Sequence, residues 1–301
     1  MARRPRRRLA ALLILLAACA PTAGLAPTES STTPTPFVTN TLTPSPSTTT
    51  TTVTTSAPDL TPTSTILELI EVEAEVVVPS GTGPFPAVVL VHGGGWVGGN
   101  PGLLTPLGEF LNDNGYLTVN TRYSLASLER AAFPQAVDDV ACAVRLATSH
   151  PDSDGTVTVI GHSAGAHIGA LVALVGDQYA GDCPHEGTGV PDRFVGLAGP
   201  YDVSRLGIVI APFFGAAQSQ APAIWDAGNP LLSAGENIDL MSLILYGEND
   251  ALVDENFAFD FHEALVAAGS ESLVEMVEDA RHNDMHDPDL VGDLIVTWMG
   301  R

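Results

Sequence analysis

The sequence predicts an α/β fold: a mostly parallel, doubly wound sheet that opens with an antiparallel strand and carries a small insertion near residues 200–240. Two observations lead there. From residue 67 onward, strand-like and helix-like patterns alternate to the end of the chain, as crossover connections between parallel strands require. In addition, runs such as PAVVLVHG at 86–93 are continuously apolar and stop at glycine, which suits strands covered by helices on both faces.

The first segment, LELIEVEAEVVV (67–78), interleaves apolar and acidic residues, the pattern of a half-buried antiparallel strand. The apolar run 86–93 follows as a central strand, and TPLGEFLNDNG (105–115) reads as a helix closed by glycine. YLTVNTR (116–122) is the next strand, and a helix spans 134–150 with Pro134 at its start. GTVTVIG (155–161) then gives a strand and SAGAHIGALVALVG (163–176) a helix. Further strands are expected at 193–199, 241–247 and 271–278, with helices at 256–269 and 287–300. The Pro-, Ala- and Phe-rich interval 200–240 breaks the rhythm and reads as an insertion at the C-terminal edge of the sheet.

Not all 301 residues are available for this fold. Residues 1–18, MARRPRRRLAALLILLAA, place five arginines before an apolar stretch. At roughly ten residues that stretch is too short to span a bilayer and fits a secretory signal. Leu16-Ala17-Ala18 ahead of Cys19 resembles a bacterial lipobox, which predicts lipidation of Cys19 and an outward-facing, membrane-anchored protein of the cell envelope. Residues 19–65 are almost wholly Thr, Pro, Ser and Ala after the cysteine. With so few large apolar side chains, they are expected to form a disordered tether. The folded domain is therefore expected at 66–301.

Charge narrows the partners. The chain has 12 Lys and Arg against 35 Asp and Glu, a net charge of −23, and the domain contains no lysine. Loss of the signal removes five arginines, leaving 7 minus 35, or −28. Nucleic acid and anionic membrane surfaces are poor partners for such a protein. Of three cysteines, lipidation of Cys19 would leave Cys142 and Cys183 as an even pair in an oxidising compartment. The alternative is that Cys142, inside an apolar helical pattern, is a buried small hydrophobe.

The chemistry centres on Gly161-His162-Ser163-Ala164-Gly165. This G-x-S-x-G lies between a buried strand and a small-residue helix. There the backbone turns too tightly to tolerate a neighbouring Cβ and leaves the serine hydroxyl exposed above the sheet. A second glycine turn, Gly93-Gly94-Gly95, ends the strand before it. Two N–H groups of that turn and the N–H of Ala164 are suited to hold the oxyanion of a tetrahedral intermediate.

A serine nucleophile needs a base, and the base an orienting acid. Asp250 follows the strand at 241–247, with Asp254 and Glu248 as competing acids. His282 follows the strand at 271–278, with His286 as the competing base. His92 is expected to fix the glycine turn through backbone hydrogen bonds, His162 fills the elbow's variable position, and His167 is expected to pack. His150, His185 and His262 read as surface residues. No Cys/His cluster with metal-ligand spacing and no phosphate-binding loop is present, so neither a metal nor an organic cofactor is expected.

HGGGW, GHSAG, the Y-G-x-x-D-x-x-V pattern and R-H-N-D together resemble the α/β-hydrolase superfamily. Within it they are similar to hormone-sensitive-lipase-like and BD-FAE-like bacterial carboxylesterases, over residues from about 68 to 299. The resemblance implies a nucleophile at Ser163, acid at Asp250, base at His282, and an oxyanion hole from Gly94, Gly95 and Ala164, with Gly93 their less certain neighbour. It implies a serine hydrolase acting on small-molecule carboxylic esters with small to medium acyl groups. An arylformamidase or peptidase with the same triad, or a binding lipoprotein on a hydrolase scaffold, are the alternatives. Because no long helical cap precedes the first glycine-rich strand, the acyl pocket is expected to be open. Its expected walls are Trp96, Tyr123 and Tyr201, with Phe213, Phe214 and Trp225 of the insertion; the equal alternative is that these aromatics are ordinary core.

Overall fold

A computed structural model describes residues 73–179 and 181–301. The expected signal, Cys19 and the Thr/Pro/Ser-rich tether lie outside the described residues, as does the first half of the strand expected at 67–78.

The described chain builds a seven-stranded sheet in the order β1-β3-β2-β4-β5-β6-β7. β1 (Ala74–Val77) runs antiparallel to β3 (Leu117–Thr121). β2 (Phe85–Val91), β3, β4 (Ser153–His162), β5 (Arg193–Leu197), β6 (Met241–Gly247) and β7 (Glu271–Val277) are mutually parallel. Helices α1 (Thr105–Asp113), α2 (Gln135–Ser149), α3 (Ala164–Val175), α6 (Asn256–Ala268) and α7 (Pro288–Met299) connect or follow the strands. Two short helices, α4 (Ala211–Phe214) and α5 (Pro222–Ala227), lie between β5 and β6, where the sequence pattern breaks down.

Side-chain alternation along β2 shows why the sheet is covered twice. Val89 and Val91 join a core with α2, α3 and α6, while Val88 and Leu90 join another with α1 and α7. Successive strand residues point to opposite faces, so a strand apolar at every position must be covered on both. The amphipathic helices α1 and α2 each bury one stripe, whereas α3 is buried at all twelve positions. Its Ala and Gly content permits this: a Cβ on Gly169 would come within 2.9 Å of Val159 Cγ1.

The chain order sets the position of the crevice. From β2 the chain steps outward to β3, then returns past β2 to form β4 on its other side. Adjacent strands whose connections leave in opposite directions open a crevice at their carboxyl ends. The glycine turn after β2 and the Ser163 turn after β4 flank that crevice. Because the strands are parallel, the loops after β6 and β7 reach the same edge.

Boundaries differ from expectation where local geometry decides them. The helix expected to begin at Ser163 begins at Ala164, since Ser163 has φ 54° and ψ −118°. The helix expected to run to Gly115 stops at Asp113, and Gly115 adopts φ 88°. Cys142 and Cys183 are bonded to each other with a Cα–Cα distance of 5.5 Å, which ties α2 to the loop beyond α3.

Candidate active site

Glycines flank Ser163 because the turn leaves no room for anything larger. A Cβ on Gly161 would lie 2.3 Å from Gly165 O, and one on Gly165 would lie 2.1 Å from Val91 O. Ser163 itself occupies a left-handed backbone conformation that non-glycine residues adopt at a cost of order 1–3 kcal/mol. That strain is held in place from both sides. Ser163 N donates to Leu197 O of β5 at 2.8 Å, and Ser163 O accepts from Ala166 N and His167 N at 3.0 and 3.2 Å.

The structure brings Ser163, His282 and Asp250 into one hydrogen-bonded line. His282 Nε2 lies 2.8 Å from Ser163 Oγ, and His282 Nδ1 lies 2.7 Å from Asp250 Oδ2. An ionised carboxylate only accepts, so Nδ1 carries the proton and Nε2 is left as the acceptor for the serine hydroxyl. The side chain of Asp250 is 2% exposed and that of His282 9%.

Asp250 is fixed on its other oxygen, Oδ1, by the N–H groups of Leu252 at 2.8 Å and Val253 at 2.9 Å. Burial acts to raise its pKa. The hydrogen bonds from His282, Val253 and Leu252 together outweigh burial and hold the carboxyl below its ordinary 3.8. The two loops that carry Asp250 and His282 are fastened to each other. Glu248 N donates to Val277 O at 3.0 Å, Asn249 N to Ala280 O at 2.9 Å, and Asp279 N to Glu248 Oε2 at 3.0 Å.

The competing residues are occupied elsewhere. Glu248 serves as that loop fastener. Asp254 accepts from Asn256 and lies 3.8 Å from an Arg205 guanidinium nitrogen. His286 packs edge-on against His162 with ring centroids 4.9 Å apart.

The glycine turn sits directly against the elbow. A Cβ on Gly93 would lie 2.7 Å from His162 Nδ1 and 3.2 Å from Ser163 Cβ, so Gly93 is the glycine of closest approach. Gly94 and Gly95 continue the turn with φ 133° and 60°. Gly94 O accepts from Gly98 N at 3.1 Å, closing the loop on itself. Among the described residues, no protein acceptor meets the N–H of Gly94, Gly95 or Ala164. Those three are available to a ligand oxygen. His92 braces the turn as expected: its Nδ1 lies 2.8 Å from Gly93 O, and it stacks on Tyr123 at 4.4 Å. The Tyr123 hydroxyl in turn donates to His92 O at 3.0 Å.

The expected acyl-pocket walls require correction. Trp96, Tyr123 and Tyr201 are 4%, 6% and 0% exposed, and Phe213, Phe214 and Trp225 are likewise buried. Trp96 Nε1 donates to His167 Nδ1 at 3.1 Å, and His167 Nε2 donates to Gly228 O at 2.9 Å. Tyr201 stacks on Phe261 at 4.5 Å. Trp96 and Phe213 pack on His167 of α3, and Phe214 and Trp225 continue that buried layer into the insertion, where each large aromatic gains more from full burial than from lining an open cleft. His167 packs as expected, and burial lowers its pKa to about 4. His150, His185 and His262 are half-buried rather than exposed. His162, expected only to fill the elbow's variable position, makes a further contact. It is 4% exposed, and its Nε2 lies 2.9 Å from the main-chain oxygen of His282. Nothing in the spacing pointed to this contact, which joins loops 120 residues apart. No group of three or more His, Cys, Asp or Glu side chains suited to a metal ion occurs among the described residues.

Comparison with known proteins gives the family and the fold. The model of the BD-FAE family matches residues 75–265. Among curated proteins, Esterase LipC of Mycobacterium tuberculosis (strain ATCC 25618 / H37Rv) is 30% identical over 128 residues, 40% of this chain. The match spans 31% of that relative, so this chain corresponds to about a third of its length. Among solved structures, a truncated carbohydrate esterase from gut microbiota superposes with a TM-score of 0.65 at 17% identity, covering 76% of this chain and 90% of that one. The butyrate-bound esterase of Thermogutta terrifontis gives 0.63 at 20% identity, covering 78% and 90%. At these identities the structural likeness establishes the fold, an α/β-hydrolase-like sheet with an antiparallel first strand.

Proposed function

The chain belongs to the BD-FAE family, and from that premise we propose that it is a carboxylic ester hydrolase working through Ser163, His282 and Asp250. The observation that carries the reading is the unbroken hydrogen-bonded line from Ser163 Oγ through His282 to Asp250, 2.8 and 2.7 Å long at its two links. A serine hydroxyl is a weak nucleophile near neutral pH unless a base takes its proton as it attacks. His282 Nε2 accepts that proton, while Asp250 holds the ring in the Nδ1–H tautomer and stabilises the imidazolium.

The carbonyl oxygen becomes an oxyanion, which the N–H groups of Gly94, Gly95 and Ala164 are placed to receive. One such donor is worth about 3 kcal/mol in the transition state. His282 then returns the proton to the departing alcohol. In the second half-reaction it draws a proton from water, which attacks the acyl group on Ser163 and releases the acid.

Two observations favour small to medium acyl groups. The insertion's aromatic side chains are committed to the core rather than to a deep tunnel, and one of the similar folds was solved with butyrate bound. We assign Cys19 as a lipid attachment point that holds the enzyme on the outer face of a bacterial membrane, supported by the apolar, lipobox-like segment ending at Ala18.

A fluorophosphonate probe tests the activity. The full chain is expected to label covalently and Ser163→Ala not at all. Chromogenic esters of graded chain length are expected to show best turnover with short acyl groups. Folded protein that neither labels nor hydrolyses any of these esters would refute the reading. Labelling with a radioactive fatty acid in cells tests the anchor: Cys19→Ala is expected to lose the label and release the protein from the membrane fraction.

A further inference from the structure

Three histidines, one ending β4 and two from the segment after β7, cluster around the Ser163 turn, and the triad uses one of them. His162 is the last residue of β4 and precedes Ser163 in the chain. Its ring centroid lies 5.1 Å from that of His282 and 4.9 Å from that of His286. Its Nε2 meets the carbonyl oxygen of His282 at 2.9 Å. A carbonyl oxygen can only accept, so this nitrogen must carry hydrogen. The opposite nitrogen, Nδ1, is buried without a hydrogen-bond partner. It faces Gly93, where a Cβ would come within 2.7 Å.

We propose that His162 is a positioning residue for ester hydrolysis: an N–H donor that clamps the main chain of His282 and fixes the imidazole against Ser163. The proposal rests on the reading of Ser163, His282 and Asp250 as a catalytic triad. Two side-chain hydrogen bonds define only an axis, from Asp250 Oδ2 to Ser163 Oγ, about which the imidazole and its loop can rock. The bond from His162 to the carbonyl of the same residue supplies a third point off that axis. It also couples the three parts of the site, because one ring touches the glycine turn at Gly93, follows directly into the nucleophile, and holds the base.

His162 can hold this bond without titrating. The charged or titratable groups that act on it are His282, His286 and Asp250. Burial, the largest influence, keeps its pKa near 3, and the two histidines push the same way. The carbonyl bond and Asp250 only partly oppose them. When His282 becomes an imidazolium, its neighbour therefore remains a neutral donor and adds no second positive charge. The unpartnered Nδ1 is consistent with this, since a proton there would find no acceptor.

The test compares His162→Leu, which keeps apolar bulk and removes the donor, with His162→Gln, whose amide can reach the carbonyl. Both are assayed on the full chain with active sites counted by fluorophosphonate titration, so that misfolded protein is excluded. In His162→Leu, kcat per titrated site is expected to fall about tenfold to a hundredfold, the scale of a small displacement of a reacting group. KM is expected to stay within about twofold, and the rate of probe labelling should fall in parallel with kcat. His162→Gln is expected to recover most of the loss. An unchanged per-site kcat in His162→Leu overturns the proposal, as does a loss confined to the titratable fraction or the melting temperature. If His162→Leu does not fold, His162→Gln decides alone, with near-native per-site kcat supporting the clamp and a loss of tenfold or more overturning it. Failure of the triad reading would show separately, as probe labelling of Ser163→Ala.

Discussion

Asp250 stands 32 residues before His282, and nothing between them in the chain marks the pair. What selects it over Asp254 and Glu248 is where each carboxylate points after β6 ends. Asp250 has one oxygen on backbone amides and one on the imidazole, while its competitors are spent on loop fastening and on Arg205. Asp250→Asn is expected to lower kcat by roughly three to four orders of magnitude, because an amide can stabilise the wrong imidazole tautomer. His282→Ala is expected to lose at least as much, and His286→Ala less than about tenfold; stopped assays with a chromogenic ester would show both. Equal losses in the two histidine variants would contradict the assignment of the base. Gly165→Ala tests the packing behind the nucleophile. Its Cβ would overlap Val91 O at 2.1 Å, so the variant is expected either not to accumulate as soluble protein or to unfold at markedly lower urea concentration than the parent.

At the scale of elements, α3 is the helix the sequence announces most plainly and explains least. A run of Ala, Gly, Val, Leu and Ile over 164–175 shows a weak stripe because the helix has no solvent face at all. Its small residues let it lie close under the sheet, which brings its N-terminus to the Ser163 turn. The insertion between β5 and β6 could be recognised only as a break in the alternation. Its two short helices, and the Trp96–His167–Gly228 connection that seats it, depend on contacts with distant segments. The Cys142–Cys183 bond closes a loop of 41 residues, which by chain entropy stabilises the fold by about 4 kcal/mol. The Cys142→Ala/Cys183→Ala double variant is therefore expected to melt on the order of 10 °C lower, at about 2–4 °C per kcal/mol for a domain of this size. Calorimetry checks that figure, and thiol titration of the unreduced parent should find neither cysteine free.

For the whole molecule, the buried histidines set the response to acid. His162 and His167 have pKa values lowered to about 3 and about 4, in each case chiefly by burial, and burial also lowers that of His92. In the unfolded chain these groups bind protons near their ordinary 6.5, whereas the native state refuses them. Stability should therefore fall as pH drops below about 6.5 and keep falling until the native histidines protonate, by several kcal/mol in total. Asp250 acts lower on the scale. Its depressed pKa gives stability that is full above 3.8 and lost as pH falls through its folded value. Melting temperatures measured from pH 7.5 to 4 are expected to decline most below pH 6.5, and His167→Gln to flatten part of that decline. A flat profile over this interval would contradict the buried, neutral state of these rings.

The order of strands and helices and the glycine-flanked serine turn were legible in the sequence, because each is a local property; the choice among Asp250, Asp254 and Glu248, and between His282 and His286, was narrowed there only to the loops after two strands. Strand and helix periods, turn chemistry and the glycine a tight bend demands are all written within a few consecutive residues. The fate of the aromatic side chains was not. Trp96, Tyr123 and Tyr201 look alike as cleft walls or as core, and only the packing of the insertion against α3 buried them. The same holds for His162, which meets the carbonyl of His282 because β4 and the β7 loop reach one edge of one sheet. A contact across 120 residues of chain is decided by topology, and no local pattern records it.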